Sequence, residues 1–587
     1  MLIYGADVEV DKAIKITDFV KLVDQESWDE FMPQGVTKEL FSQFVEYYDA
    51  DVFETAGLEI RRLAKAADKL PPTQRVMQIA RIFSYFKNPD KETVLTPWRV
   101  VNMHMSDTLG GWCFWDKKFE KPLDDGPRFT VREGVTKQVF DGEEAKVLEI
   151  NSKSGLYPLY VAYSLYRTSL GAVPEEDITQ KARLKIWNDV VARALFVICK
   201  TPMAVSITRR TLVGYTGAIV NAKFFENITE ALKDGVKKFV EKATNNKYWG
   251  KGSGEMKFQA IVGNPPYQKI DGGHASSALP VYQEFVSAGK QIDPSYLSMI
   301  IPARWFSGGR GLDKFREEML ADSRLRKIFD FVDSTECFPQ IDLAGGVCYF
   351  LWDRDHAGDC QVTSHLNGEV SEATRPLLEK GCDSFIRFNQ AVSILKKVSK
   401  GIVPISKIMT ANDPFGYDVR EEGSYRRVKP SIKDKPFANA VTIHYYGKEG
   451  KSKGYVARAS VRKNADLVDK MKVFISASYG ERGDYPYQIL GKPFYAGKGV
   501  VCTETYLCFG PFASKKECDN LAAYVQTRLF RFLVMLKKQT QHAPPQVYQF
   551  VPMQDFSESW DDAKLYKKYG ITKDEQKFIE SMIKPMA

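Results

Sequence analysis

At 587 residues the chain is too long for a single core and predicts about three domains. Its 44% hydrophobic and 12% aromatic content excludes a disordered chain, and no run of about 18 apolar residues is present to span a bilayer. Lys and Arg number 83 against 74 Asp and Glu, a formal charge of +9 with pI near 8.8, which suits a polyanionic partner without requiring one. The nine cysteines (Cys113, Cys199, Cys337, Cys348, Cys360, Cys382, Cys502, Cys508 and Cys518) are scattered and form no CxxC pair. Neither a zinc knuckle nor a disulfide framework is expected, and with no signal peptide the reading is a soluble cytoplasmic protein with reduced thiols.

Residues 1–88 read as a helical domain for docking or coupling. Leu40, Phe41, Phe44, Val45 and Tyr48 follow helical spacing behind a Thr37 cap. Further helices carry Phe53, Ile60, Leu63 and Ala64, then Val76, Ile79, Phe83 and Phe86. Thr96 and Pro97 open another helix, as N-cap and first-turn proline. Strand-like runs then alternate with helices. Ala145–Ile150 leads through a polar turn ending at Gly155 into a helix over Pro158–Tyr166. Ala194–Lys200 precedes a helix starting at Pro202, and Ala218–Glu226 is a further strand-like run. The Gly-rich stretch 245–256 lacks P-loop and dinucleotide spacing and reads as a loop. Helices are expected at Leu279–Lys290 and Arg310–Leu320, with strands at Tyr296–Ile301, Ile328–Val332 and Val347–Trp352. Such alternation implies an α/β domain with a largely parallel sheet.

Within it, the apolar run Ala260–Val262 stops at Gly263 and turns through Asn264, Pro265, Pro266 and Tyr267. Two prolines stiffen the turn, and the carboxyl end of a strand in an α/β sheet is where ligands bind. The Asn264 side-chain oxygen and the Pro265 carbonyl are two acceptors for an exocyclic amino group, and the Tyr267 ring can stack on the flat ring that carries it. This is chemistry for methylating the amino group of a planar heterocycle or amide.

From about 356 the character changes. Residues 384–400 suggest an amphipathic helix and 520–538 another. Basic and aromatic loops lie between them, among them Tyr425–Lys429 and His444–Lys453. In the latter, Tyr445, Lys448, Lys451 and Lys453 make a mobile basic loop suited to phosphate contact.

The Asn-Pro-Pro-Tyr turn resembles motif IV of S-adenosylmethionine (SAM)-dependent amino methyltransferases. With the order of the elements around it, the chain is similar to the gamma-class N6-adenine DNA methyltransferases of restriction-modification systems. The resemblance implies a Rossmann-like methyltransferase domain over 89–355, after the helical domain 1–88. A mixed α+β DNA target-recognition domain follows over 356–587. It assigns Thr96 and Pro97 to motif X, at the methionine end of SAM. Glu149, Asn151, Ser152 and Gly155 fall in motif I, which holds the amino-acid moiety near a helix N-terminus, and Glu226 falls at the adenine end. Two departures stand out: the glycine loop of motif I is reduced to Gly155, and Cys199 or Lys200 replaces the acid that binds the ribose. Phe338, in Glu336-Cys337-Phe338-Pro339, matches motif VIII, whose aromatic ring clamps the flipped base beside Tyr267.

The implied activity is site-specific N6-adenine methylation of double-stranded DNA with SAM and without a metal, Asn264, Pro265, Pro266 and Tyr267 being catalytic. A restriction nuclease or helicase subunit is an implied partner. A non-catalytic DNA-reading subunit is an alternative favoured by the two departures, and a protein-glutamine or RNA methyltransferase is another.

Overall fold

The computed structural model describes residues 1–33, 35–87, 95–141, 144–268, 279–309, 311–339, 341–343, 345–419, 429–447, 450–480, 485–538 and 540–586. The chain divides into two compact units, one of Met1–Leu366 with Glu372–Leu377, the other of Asn367–Ser371 with Leu378–Ala587.

The sheet that positions the site has nine strands: β1 Val147–Ser152, β2 Leu195–Cys199, β3 Asn221–Phe224, β4 Ala260–Gly263, β5 Tyr296–Pro302, β6 Leu325–Phe331, β7 Val347–Asp353, β8 Cys360–Leu366 and β9 Glu369–Arg375. Their order is β9-β8-β6-β7-β5-β4-β1-β2-β3. From β3 to β5 every pairing is parallel, and β7 enters antiparallel between β5 and β6. Strands β1, β2, β4 and β7 are buried along their whole length, which explains why β2, β4 and most of β7 read as continuous apolar runs, while β1 carries Glu149, Asn151 and Ser152 into the interior. The order reverses between β1 and β4, so the carboxyl ends of these neighbours form the crevice where such sheets bind ligands. This is the Rossmann-like α/β fold expected of a SAM-dependent methyltransferase.

The helices used below are α1 Gln25–Phe31, α2 Lys38–Phe44, α3 Ala50–Ala67, α4 Pro72–Ser84, α5 Trp98–Thr108, α6 Leu156–Leu170, α7 Gln180–Ala194, α8 Pro202–Val213 and α9 Tyr282–Gln291. Thr37 caps α2 as expected, its side chain accepting from Leu40 N–H. The first 88 residues, expected as a domain of their own, share one apolar core with the sheet's helices: Tyr4, Trp28 and Ile79 pack in the same cluster as Tyr160, Val197 and Ile207. Arg75 of α4 donates to the Leu212 and Arg210 carbonyls at 3.1 and 3.2 Å, satisfying the carboxyl end of α8. Helix α6 begins at Leu156, one turn's length or less before the expected Pro158, because Gly155 takes up the left-handed conformation at its N-cap.

The second unit combines two three-stranded sheets with helices. In the first, β10 (Ala440–Gly447) and β11 (Gly450–Ala457) form an antiparallel ribbon. The expected mobile loop is therefore mostly strand: Lys451 lies opposite Tyr446 and Lys453 opposite His444. Lys448 and residues 425–428 lie outside the described residues. The helix expected over 520–538 is two, Lys515–Gln526 and Arg528–Met535, because Thr527 is extended and its side chain caps the second. The boundary expected at 356 falls instead near Leu378, since β8 and the end of β9 complete the first unit's sheet.

Candidate active site

The site is built where β1 and β4 end side by side. Gly263 closes β4, and a Cβ there would stand 2.8 Å from the Ile150 carbonyl oxygen, so glycine lets the strands approach this closely. The turn then leaves Pro265 buried and Asn264, Pro266 and Tyr267 half-buried. Asn264 Nδ2 donates to Thr96 Oγ1 at 2.9 Å, while Asn264 Oδ1 is buried and accepts no hydrogen bond among the described residues. Asn151 Nδ2 donates to the Asn264 main-chain carbonyl at 3.4 Å. Three stretches separated in sequence thus meet at one asparagine.

Thr96 was expected to cap α5. Pro97 is the N-cap instead and no side chain caps this end, because the Thr96 hydroxyl is turned to Asn264. Pro97 itself is exposed.

Across the crevice, Glu149 lies buried in β1 and its Oε2 has no hydrogen-bond partner. Burial pushes its carboxyl up to about 8, with the Ser152 side chain opposing. Asn151 has φ 70° and its Oδ1 is also buried and unpartnered. Ser152 Oγ accepts from Gly155 N–H at 3.1 Å and lies 3.2 Å from Thr208 Oγ1. Gly155 has φ +75°, and a Cβ on it would come within 3.0 Å of Thr208 Cα. A single glycine suffices for this loop because it occupies the one position that both needs positive φ and touches α8, while Asn151 tolerates the other left-handed turn.

Sequence reasoning missed the support beneath. Tyr157, in the first turn of α6, pairs with His104 Nδ1 at 2.8 Å, and His104 Nε2 pairs with Ser298 Oγ at 2.8 Å. Burial lowers the imidazole to about 3, so His104 is neutral and bridges α5, α6 and β5. Burial first, and then the neighbouring Tyr267 and Glu149, push the Tyr157 hydroxyl well above its ordinary value. No local signal marks His104, since Asn102 beside it in the same helix is equally polar.

Other expected residues stand apart. Glu226 is exposed beyond β3. Phe338 is 1% exposed and packs with Ile300, Phe331 and Tyr349, so its ring is core and not displayed beside Tyr267. The segment before it is fixed by Arg99, which donates to the Glu336 and Cys337 carbonyls at 3.3 and 3.1 Å. Tyr445, Lys451 and Lys453 belong to the ribbon of the second unit, where Tyr445 is half-buried and both lysines are exposed.

The stretch that carries the turn is also where the chain resembles known methylases. Residues 193–338 match the family described as Eco57I restriction-modification methylase. A Mycoplasma pneumoniae protein described as an uncharacterized adenine-specific methylase is 31% identical over 156 residues, 26% of this chain and 37% of that protein, so the match spans under two fifths of that relative's length. Among solved structures, the chain resembles a nuclease-deletion mutant of the Type ISP restriction-modification enzyme LlaGI in complex with a DNA substrate mimic (10% identity, TM-score 0.45, 86% of this chain and 50% of that one). It also resembles the DrdV–DNA complex (11% identity, TM-score 0.41, 99% and 65%).

Proposed function

We propose that the chain is a site-specific DNA adenine methyltransferase that moves the methyl group of SAM to N6 of an adenine flipped out of duplex DNA. We place it as the modification component of a restriction-modification or related phage-defence system, cytoplasmic, with a nuclease or helicase subunit as its partner. The observation that carries this reading is the Asn264 amide, whose nitrogen is committed to Thr96 and whose buried oxygen is unclaimed. An amino group on a planar base supplies the missing donor. Asn264 Oδ1 and the Pro265 carbonyl accept its two hydrogens, which turns nitrogen density toward the electrophile, while Pro266 stiffens the turn. Tyr267 stacks on the base, worth about 1–3 kcal/mol against the cost of unstacking it from the duplex. Phe338 joins as a second face only if its ring leaves the core.

Bound SAM supplies an electrophilic methyl group on a sulfonium centre. The residues fit such a ligand: Glu149 Oε2 and Asn151 Oδ1 are buried acceptors without donors, suited to an ammonium group beside the α6 N-terminus. Ser152 and Gly155 shape that loop, Thr96 and Pro97 border the methionine end, and Glu226 borders the adenine end. Catalysis is by positioning and electrostatics. In the second unit, read as the target-recognition domain, Tyr445, Lys448, Lys451 and Lys453 contact the DNA backbone.

The test is incubation of the purified protein with radiolabelled SAM and duplex DNA of diverse sequence, followed by nucleoside analysis. Label in N6-methyladenine supports the assignment, and protein-bound or RNA-bound label, or none, overturns it. A non-catalytic DNA reader is the second reading, favoured by Cys199 and Lys200 at the end of β2, and failure to bind SAM would select it.

A further inference from the structure

The end of β2 lacks a carboxylate of its own. Cys199 is fully buried with its Sγ 3.8 Å from Thr208 Oγ1, and the next residue, Lys200, is a cation. Helix α1, some 170 residues earlier in the chain, covers this end and the start of α8. Ser27 Oγ accepts from Met203 N–H at 3.1 Å, and Thr201 Oγ1 accepts from Ala204 N–H at 3.3 Å, so these donors of the α8 N-terminus are taken. The Thr201 hydroxyl in turn donates to Glu30 Oε2 at 2.6 Å. Glu30 is only 3% exposed, and its Oε1 accepts no hydrogen bond among the described residues.

Two carboxylates therefore flank the end of β2, Glu149 from the neighbouring strand and Glu30 from the N-terminal segment; the buried Cys199 thiol is pushed up first by desolvation and then by both. We propose that Glu30 supplies the carboxylate that accepts the ribose hydroxyls of the methyl donor, in place of the acid absent from β2. This rests on the SAM-binding reading above. A buried carboxylate oxygen with no donor is costly. The one hydroxyl hydrogen of Thr201 is spent on the other oxygen, and a sugar diol brings O–H donors to a carboxylate whose charge the α8 N-terminus favours.

Calorimetry of the full chain with S-adenosylhomocysteine, which binds without reacting, tests the assignment. Glu30→Gln is expected to weaken binding about tenfold, the size of one lost hydrogen bond to a charged group. The 2′,3′-dideoxy analogue, which lacks both hydroxyls, is expected to bind wild type and variant alike. Thr201→Val, which removes only the partner hydroxyl, should keep the distinction between the two ligands. If Glu30→Gln fails to fold, Glu30→Asp keeps the charge at the helix end but withdraws it by one methylene, and is expected to lose the same discrimination. Unchanged binding with a lowered melting temperature would reduce Glu30 to a latch for α1 and overturn the proposal, as would tighter binding. A wild-type chain that binds neither SAM nor S-adenosylhomocysteine would overturn the methyl-donor reading itself, and this assignment with it.

Discussion

Asn264 and Thr96, 168 residues apart, share a hydrogen bond of 2.9 Å that leaves the Asn264 oxygen as the unclaimed half of a buried amide. In this pairing the amide nitrogen is the donor and the Thr96 hydroxyl the acceptor. Removing the side chain removes the acceptor. Asn264→Ala is expected to nearly abolish methyl transfer while leaving DNA affinity in a gel-shift titration unchanged; wild-type turnover would sink the assignment.

Thr96→Val tests the support separately. It leaves the Asn264 nitrogen buried without an acceptor, a cost of about 1–3 kcal/mol that frees the amide to rotate. Single-turnover transfer should slow by about tenfold or more, with SAM affinity nearly unchanged. A loss confined to SAM affinity would instead assign Thr96 to the cofactor.

Glu149 sets a pH signature. Its folded value of about 8 lies above the ordinary 4.5, so between these the folded state holds a proton that the unfolded state has released. That contribution to stability is complete below 4.5 and is lost as pH rises through about 8. Glu149→Gln should therefore melt higher than wild type at pH 8 and close to it at pH 4.5. A ligand ammonium beside the carboxyl favours its charged form, so SAM binding at pH 7 should release a proton, visible as a dependence of the calorimetric heat on buffer ionisation.

Gly155 is a loop glycine that the fold cannot replace. Alanine there meets both a positive φ and the Thr208 backbone at 3.0 Å. Gly155→Ala should cost about 1–2 kcal/mol for the left-handed conformation alone, measured by urea denaturation, with Gly250→Ala on the open loop as comparison.

On the ribbon, Lys451→Ala and Lys453→Ala should each reduce the slope of log K against log salt for DNA binding by about 0.9 and leave the methylated sequence unchanged. An altered sequence preference would make them base-reading residues.

The sequence by itself determined the strands, the stiff turn and the departures around it. Leu195–Cys199 and Ala260–Gly263 are apolar on both faces, a pattern that marks buried parallel strands without knowledge of their neighbours. Pro265 and Pro266 constrain their own φ, and so the turn is local. What lay beyond reach was whatever depends on partners far along the chain. Thr96 read as a helix cap, because capping is local, yet its hydroxyl serves Asn264. Phe338 read as a base clamp, yet burial among Ile300, Phe331 and Tyr349 offers its ring more than an exposed position would. The pairing of Tyr446 with Lys451 turned an expected loop into a ribbon. Glu30 and His104 carried no spacing that marks a site, since a side chain becomes functional here only when another element buries it and leaves one atom unsatisfied. Local propensity is written residue by residue, whereas burial and hydrogen-bond satisfaction belong to the packed whole, and only the tertiary structure decides them.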